Sequence, residues 1–242
     1  MIRCNSEIKS CKICNESSVI YDVVDFNKCC NHNPYLFGIS MIPVYYYKCE
    51  HCGFIFTDFT DNYNDNDFTD KIYNEDYSLV DPEYKNTRPT EDAKQLNEYL
   101  LADKNTIVAF DFGGGAGVLA SEMESYGYLY HTYDPFGKTS LDKTLIGRYN
   151  FCSAFEVFEH LPNPNESLHN IKNMMVRDGP RILIGTQLSD NNVNDHDRLS
   201  WWYAAPRNGH ISLFSRTALS ILATNSGFRL AESSGHLHLI TE

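Results

Sequence analysis

The sequence predicts an α/β fold: a mostly parallel sheet with helices on both faces, preceded by a small cysteine-rich ribbon. Three observations predict it. From residue 107 onward, short apolar runs alternate with segments of helical periodicity, the order that builds parallel strands joined by crossover helices. One run, Ile107-Val-Ala-Phe-Asp111, empties into Phe112-Gly113-Gly114-Gly115-Ala116-Gly117 and restarts as a helix, leaving backbone N–H groups where a ligand can approach closely. Ahead of this stand two Cys-x-x-Cys pairs, Cys11/Cys14 and Cys49/Cys52.

The totals agree with such a molecule. The 242 residues are 42% hydrophobic and 13% aromatic, enough for a sizeable core. A net charge of −12 repels nucleic-acid phosphate and disfavours RNA or DNA as a general partner. No apolar run approaches the roughly 18–20 residues of a membrane span. The segment Met1–Ser6 lacks the apolar core of a signal peptide, so a cytoplasmic protein is expected. Its eight cysteines are then metal ligands or buried thiols, not disulfides.

Taken in order, residues 1–60 read as a zinc-ribbon module. The two-residue gap lets both thiolates of a knuckle face one ion, and two knuckles complete a tetrahedral set, Cys11, Cys14, Cys49 and Cys52. Four thiolates leave no open position, so the Zn2+ is structural. Gly53 suits the tight turn after the second knuckle. Tyr45–Lys48 and Phe54–Phe56 read as short strands beside it. The 34 residues between the knuckles exceed the usual ~15–20, so the insert is a loop or hairpin of its own. It holds Cys29, Cys30 and His32, alternative ligands should a knuckle be misassigned. Cys4 and Cys152 read as unligated thiols.

Residues 61–89 read as a linker or lid. Asp61–Asp67 is polar and without aliphatics, and Tyr73, Tyr77 and Tyr84 either pack the connection or cover a ligand. Residues 90–242 form the cofactor-binding domain. Thr90 is placed to cap a helix whose face is Ala93, Leu96 and Leu100. After the glycines, Leu119, Met123 and Tyr126 mark a helix that Gly127 stops. Tyr128–Asp134 is a second strand ending in an acid, and Asn150–Phe155 a further one. Asn163 and Pro164 start a helix bearing Leu168, Ile171, Met174 and Met175. Arg181–Thr186 is a strand, Ser189–Arg198 a polar loop, and Ser215 the cap of a helix bearing Ala218, Leu219 and Leu222. Phe228–Ala231 and His236–Ile240 close the sheet.

The glycine loop discriminates between two nucleotide cofactors. A dinucleotide turn reads Gly-x-Gly-x-x-Gly. Counted from Gly113 the sixth residue is Val118, and counted from Gly115 it is Ala120, a partial match. Asp111 stands directly ahead of the loop, where it would repel a pyrophosphate and attract the cationic sulfonium of S-adenosylmethionine. Asp134 fits an acid that accepts the ribose hydroxyls of either cofactor.

Asp111-Phe-Gly-Gly-Gly-Ala-Gly117, Tyr133-Asp134-Pro135 and Phe155-Glu156-Val-Phe-Glu159-His160-Leu-Pro resemble the class I S-adenosylmethionine-dependent methyltransferases, which have a Rossmann-like sheet. The branch with an N-terminal zinc-binding module, acting on sugars and small molecules, is similar also at Tyr47–Phe56 and at Trp201–Ser215. The resemblance implies that Asp111, Phe112, Gly113, Gly114, Gly115 and Gly117 surround the methionine part of the cofactor, that Asp134 binds the ribose, and that Phe155 and Glu156 line the pocket. Two departures stand out. Only 15 residues separate Asp134 from Asn150, where most relatives place a helix and a third strand, so no adenine-binding acid is carried over. The chain also ends after the closing strands, without the further domain of the zinc-containing sugar C-methyltransferases.

The expected reaction is methylation of a sugar or other small-molecule or glycan hydroxyl. A histidine is the natural base at neutral pH. His160, just past the strand Asn150–Phe155, and His210, in an aromatic loop, are the candidates. Trp201, Trp202 and Tyr203 either form a platform for a flat acceptor or pack loop against sheet. Asp195, His196 and Asp197 read as solvated loop rather than a second metal site. The alternative is an RNA or protein methyltransferase that grips its substrate with the ribbon. Nothing in the sequence fixes an oligomeric state.

Overall fold

The computed structural model describes residues 8–134, 141 and 143–242. Met1–Ser6 with Cys4, and Pro135, lie outside the described residues. The chain forms two compact units. Unit 1 comprises residues 1–81, 159–165 and 187–225, and unit 2 residues 82–158, 166–186 and 226–242.

Unit 1 is built on a five-stranded antiparallel sheet: β1 (Lys9–Ser10), β2 (Ser17–Asp25), β3 (Pro43–Cys49), β4 (Ile55–Phe56) and, from far along the chain, β9 (Ser212–Leu213). Most of the insert between the knuckles is a hairpin, with Val23 opposite Tyr45 and Ser18 opposite Cys49. Tyr21, Val44, Tyr46, Ile55, Leu199, Trp201, Tyr203 and Leu213 form its apolar core. Trp201 and Tyr203 are therefore core residues, and only Trp202, 53% exposed, presents its ring to solvent.

The stretch expected as loop at Asp61–Asp67 contains the start of a helix, α1 (Asp65–Lys71). Asn64 accepts from the N–H groups of Asn66 and Asp67, and the Asp67 carboxylate reaches back to the Asn64 N–H, a reciprocal cap that outweighs the low helix propensity of Asn and Asp. A short helix, α2 (Tyr77–Val80), follows. At the far end of the unit, α6 (Arg216–Asn225) is capped as expected: Ser215 Oγ accepts from Ala218 N at 3.0 Å.

Unit 2 carries a six-stranded sheet. Its strands are β5 (Val108–Phe112), β6 (Leu129–Tyr133), β7 (Phe151–Phe155), β8 (Arg181–Gly185), β10 (Arg229–Ser234) and β11 (Leu237–Thr241), in the order β10-β11-β8-β7-β5-β6. The four central and early strands are parallel, and β11 and β10 close the sheet antiparallel. α3 (Thr87–Leu100) and α4 (Val118–Ser125) pack Ala93, Leu96, Leu100, Leu119 and Met123 against Ala109, Tyr130, Phe151 and Leu183. Side chains alternate along a strand, so Phe110, Cys152 and Ile182 face the other way, and they are fully buried. α5 (Pro164–Met174) starts at its proline and buries Leu168 and Ile171.

α3 corrects the expected cap. It begins at Thr87, not after Thr90, and Asn86 makes no side-chain cap bond. Pro89 falls in the first turn, where its missing N–H has no helical partner to lose. Among the described residues between Asp134 and Phe151 there is no strand, only turns and an isolated bridge from Tyr149 to Met175. No helix among the described residues is long and apolar enough to cross a membrane.

Candidate active site

The carboxyl ends of β5, β6 and β7 lie along one edge of the unit 2 sheet, the kind of edge where parallel α/β sheets bind ligands. At the end of β5 the loop turns back under control of β6: Gly113 N donates to Tyr133 O at 2.7 Å, and Gly115 N to Asp134 Oδ2 at 2.8 Å. The glycines answer mainly to the protein's own close approaches. A Cβ on Gly114 would lie 2.4 Å from Asp111 Oδ2, one on Gly113 2.6 Å from Val157 Cγ2, and one on Gly117 2.9 Å from Thr132 Oγ1. At Gly115 it would meet open space. The loop is thus pressed down over Asp111 and leaves its Gly115–Ala116 crest exposed.

Asp111 is only 5% exposed. β5 and β7 pair Asp111 with Ser153, whose hydroxyl donates to Asp111 Oδ1 at 2.5 Å and accepts from Tyr130 Oη at 2.8 Å. Burial pushes the Asp111 carboxyl up to about 7. The Ser153 bond opposes that shift, and the charges of Asp92 and Asp134 add to it. Asp92, on α3, is itself pushed up to about 6 by burial. Ser153 and Tyr130 were missed in the sequence. The signal was a lone hydroxyl within the apolar run Phe151-Cys-Ser-Ala-Phe155.

Phe112 is buried and stacks on Tyr133, with ring centroids 5.6 Å apart. Phe155 lies over Gly185, where a Cβ would come within 2.7 Å of its ring. Glu156 has φ +53°, a left-handed conformation that glutamate rarely adopts, and its N–H donates to Gly185 O at 2.9 Å. Such strain persists only where the surroundings impose it, and it clusters at functional sites.

Both candidate bases belong to unit 1, and there they are brought together. The rings of His160 and His210 lie 4.9 Å apart, edge to face. His210 is 4% exposed, and its backbone carbonyl accepts from Tyr46 Oη at 2.6 Å. Its Nδ1 lies 2.7 Å from the Tyr203 carbonyl, which accepts only, so Nδ1 carries a proton. The Tyr203 hydroxyl donates to Glu159 Oε1. Tyr73 lies near His160, with ring centroids 6.2 Å apart, and packs on Tyr77. Asp195, His196 and Asp197 are exposed loop residues, as expected.

The four expected ligand cysteines also converge. Their sulfurs all lie within 4.8 Å of one another, with Cys11–Cys52 at 3.6 Å and Cys14–Cys49 at 3.5 Å. Ligands about 2.3 Å from one tetrahedral ion stand about 3.8 Å apart, so this set fits a metal. The knuckles match each other. Asn15 N donates to Cys11 O and Gly53 N to Cys49 O, each at 3.0 Å, and both residues have positive φ, +64° and +73°. Asn15 is the missed counterpart of Gly53. Cys29, Cys30 and His32 are not part of the cluster. Cys152 is buried, and burial pushes its thiol up.

The comparisons agree with this architecture. The family model described as a methyltransferase domain matches residues 84–233, more than half of the chain. The chain therefore belongs to the methyltransferase-domain family. Among solved structures, mitomycin 7-O-methyltransferase aligns with a TM-score of 0.52 at 14% identity, over 76% of this chain and 61% of that one. The chain thus spans about three fifths of that enzyme's length. The 1,6-didemethyltoxoflavin-N1-methyltransferase of Burkholderia thailandensis aligns at TM-score 0.46 and 16% identity, over 73% of this chain and 84% of that one. The magnesium protoporphyrin IX methyltransferase of Synechocystis aligns at 0.43 and 15%, over 63% and 81%. At 14% identity the likeness to the mitomycin enzyme is one of fold. No curated protein sequence matches the chain.

Proposed function

We propose that this methyltransferase carries the methyl group of S-adenosylmethionine to a hydroxyl of a small molecule or glycan, a sugar hydroxyl in the first instance, with an imidazole as base. The donor is already activated, so the protein has to position the acceptor and remove its proton. The observation that carries the reading is the Nδ1–H bond from His210 to the Tyr203 carbonyl, which fixes the ring and leaves Nε2 as the nitrogen that would take the acceptor's proton. His160, five residues past the end of β7, is the second candidate. Substituting each by alanine and following label transfer from methyl-labelled S-adenosylmethionine to a panel of nucleotide-sugars tests this. Loss of about 10²–10⁴-fold in kcat is expected for the base, and undiminished turnover in both variants refutes it.

On the donor side, we assign the loop Asp111, Phe112, Gly113, Gly114, Gly115 and Gly117 to the methionine part of the cofactor, Asp134 to the ribose, and Phe155 and Glu156 to the pocket wall. The support is electrostatic. Besides burial, the charges of Asp92 and Asp134 raise the Asp111 carboxyl, and this cluster of acids suits a sulfonium and an ammonium and repels a pyrophosphate. The cysteine set is assigned to structural Zn2+ in a ribbon-like module. Four soft ligands close the shell and favour zinc. Metal analysis of the purified protein is expected to return one zinc per chain, and less than half an equivalent would count against it.

A further inference from the structure

Beyond the cysteine set, one other group of metal-ligating side chains converges among the described residues: Glu159, His160 and His210. We propose that these three form a second metal site, of N2O type, that takes a divalent cation such as Mn2+ or Fe2+. Their ligand atoms lie within 4.8 Å of one another. Ligands about 2.1 Å from one ion stand about 3.0–3.4 Å apart in octahedral or tetrahedral geometry, so the three side chains close on the ion by a contraction of about an ångström or more at their widest. Two imidazoles and one carboxylate on a single ion are the donor set that suits such metals, with further positions open to water or substrate.

The carboxylate is the unexplained part. Glu159 is completely buried, and while Oε1 is held by the Tyr203 hydroxyl, Oε2 has no hydrogen-bond partner. A buried carboxylate oxygen without a donor costs the fold stability unless a cation meets it. Two imidazoles stand within reach, yet Oε2 bonds neither.

The surroundings are those of a ligand set held from behind. Tyr203 orients two ligands at once, Glu159 through its hydroxyl and His210 through its carbonyl, the outer-sphere support usual for metal-bound histidine. Gly209, at φ +87°, makes room for the third, because a Cβ there would come within 3.0 Å of His160 Nδ1. His160 is only half-buried, which leaves a way in.

This inference does not rest on the base assignment. A bound ion would hold both imidazoles as ligands and would itself lower the pKa of an acceptor hydroxyl, taking the place of the imidazole base of the ion-free chain. The harder N2O set and the soft thiolate set also select different metals, which permits a test without turnover. Mn2+ is added to the zinc-loaded chain and bound ion is followed by electron paramagnetic resonance. One Mn2+ per chain is expected in the wild type, no binding in His210→Ala, and at least tenfold weaker binding in Glu159→Gln, with zinc content unchanged in all three. The variant His160→Gln, at the more exposed ligand, repeats the test should His210→Ala fail to fold. An undiminished free-Mn2+ signal with the wild type, or binding that survives the substitutions, overturns the site.

Discussion

Burial pushes the Asp111 carboxyl up to about 7, well above the usual carboxylate range, which makes its protonation a reporter of the cofactor. An acid raised in the folded state holds more protons there than in the unfolded chain, so the cofactor-free protein loses stability as pH rises from about 4 and stays penalised above 7, by a few kcal/mol at most. Asp111→Asn is therefore expected to raise the melting temperature at pH 8 and to change it little at pH 4. A bound sulfonium favours the ionised acid. Affinity for S-adenosylmethionine should accordingly fall as pH drops below about 7, by up to tenfold per unit, and Asp111→Asn should bind weakly with that dependence gone. Calorimetry at three pH values checks both, and a pH-independent wild type would contradict the coupling. Asp111 was legible in the sequence because it abuts the glycines. Its dependence on Ser153 was not, because it follows from the pairing of β5 with β7, which are 38 residues apart between Phe112 and Phe151.

At the scale of the element, the glycine loop reads differently once its neighbours are known. Composition alone suggests glycines cleared for a ligand, whereas Gly114 is cleared for the carboxylate of Asp111. Gly114→Ala places a methyl 2.4 Å from Asp111 Oδ2, and is expected to destabilise by about 1–3 kcal/mol with loss of cofactor affinity. Gly115→Ala meets no atom, and its cost is that of a left-handed alanine alone, on the order of 1 kcal/mol. Equal melting temperatures for the two variants would contradict this. The helices after residue 107 were legible from their periodicity and stops. α1 was not, because its stabilisation is a cap made by Asn64 and Asp67, residue types that also spell a loop. Thr90 misled in the same way: a good cap residue stands inside a helix that starts at Thr87.

Across the whole molecule, the two compact units interleave along the sequence. Unit 1 takes its fifth strand, its Trp201–Tyr203 core and His210 from residues 187–225. No local pattern announces a two-residue strand such as Ser212–Leu213, which forms because Ile55 and Phe56 offer it a partner. The four cysteines fasten β2, β3 and β4 near their ends, so removal of zinc is expected to melt this sheet: a strong chelator should lower the transition temperature and be reversed by added Zn2+, with Cys11→Ser reproducing the loss. An unchanged transition in metal-free protein would mean that the apolar core of unit 1 suffices without the ion.

The central claim is that the acid-ringed glycine loop of unit 2 holds S-adenosylmethionine. Titration calorimetry with S-adenosylhomocysteine, on the wild type and on Asp134→Ala, tests it most directly. The account predicts one site per chain in the wild type and at least tenfold weaker binding in the variant. Absence of binding to the wild type, or equal affinity in both proteins, would contradict it.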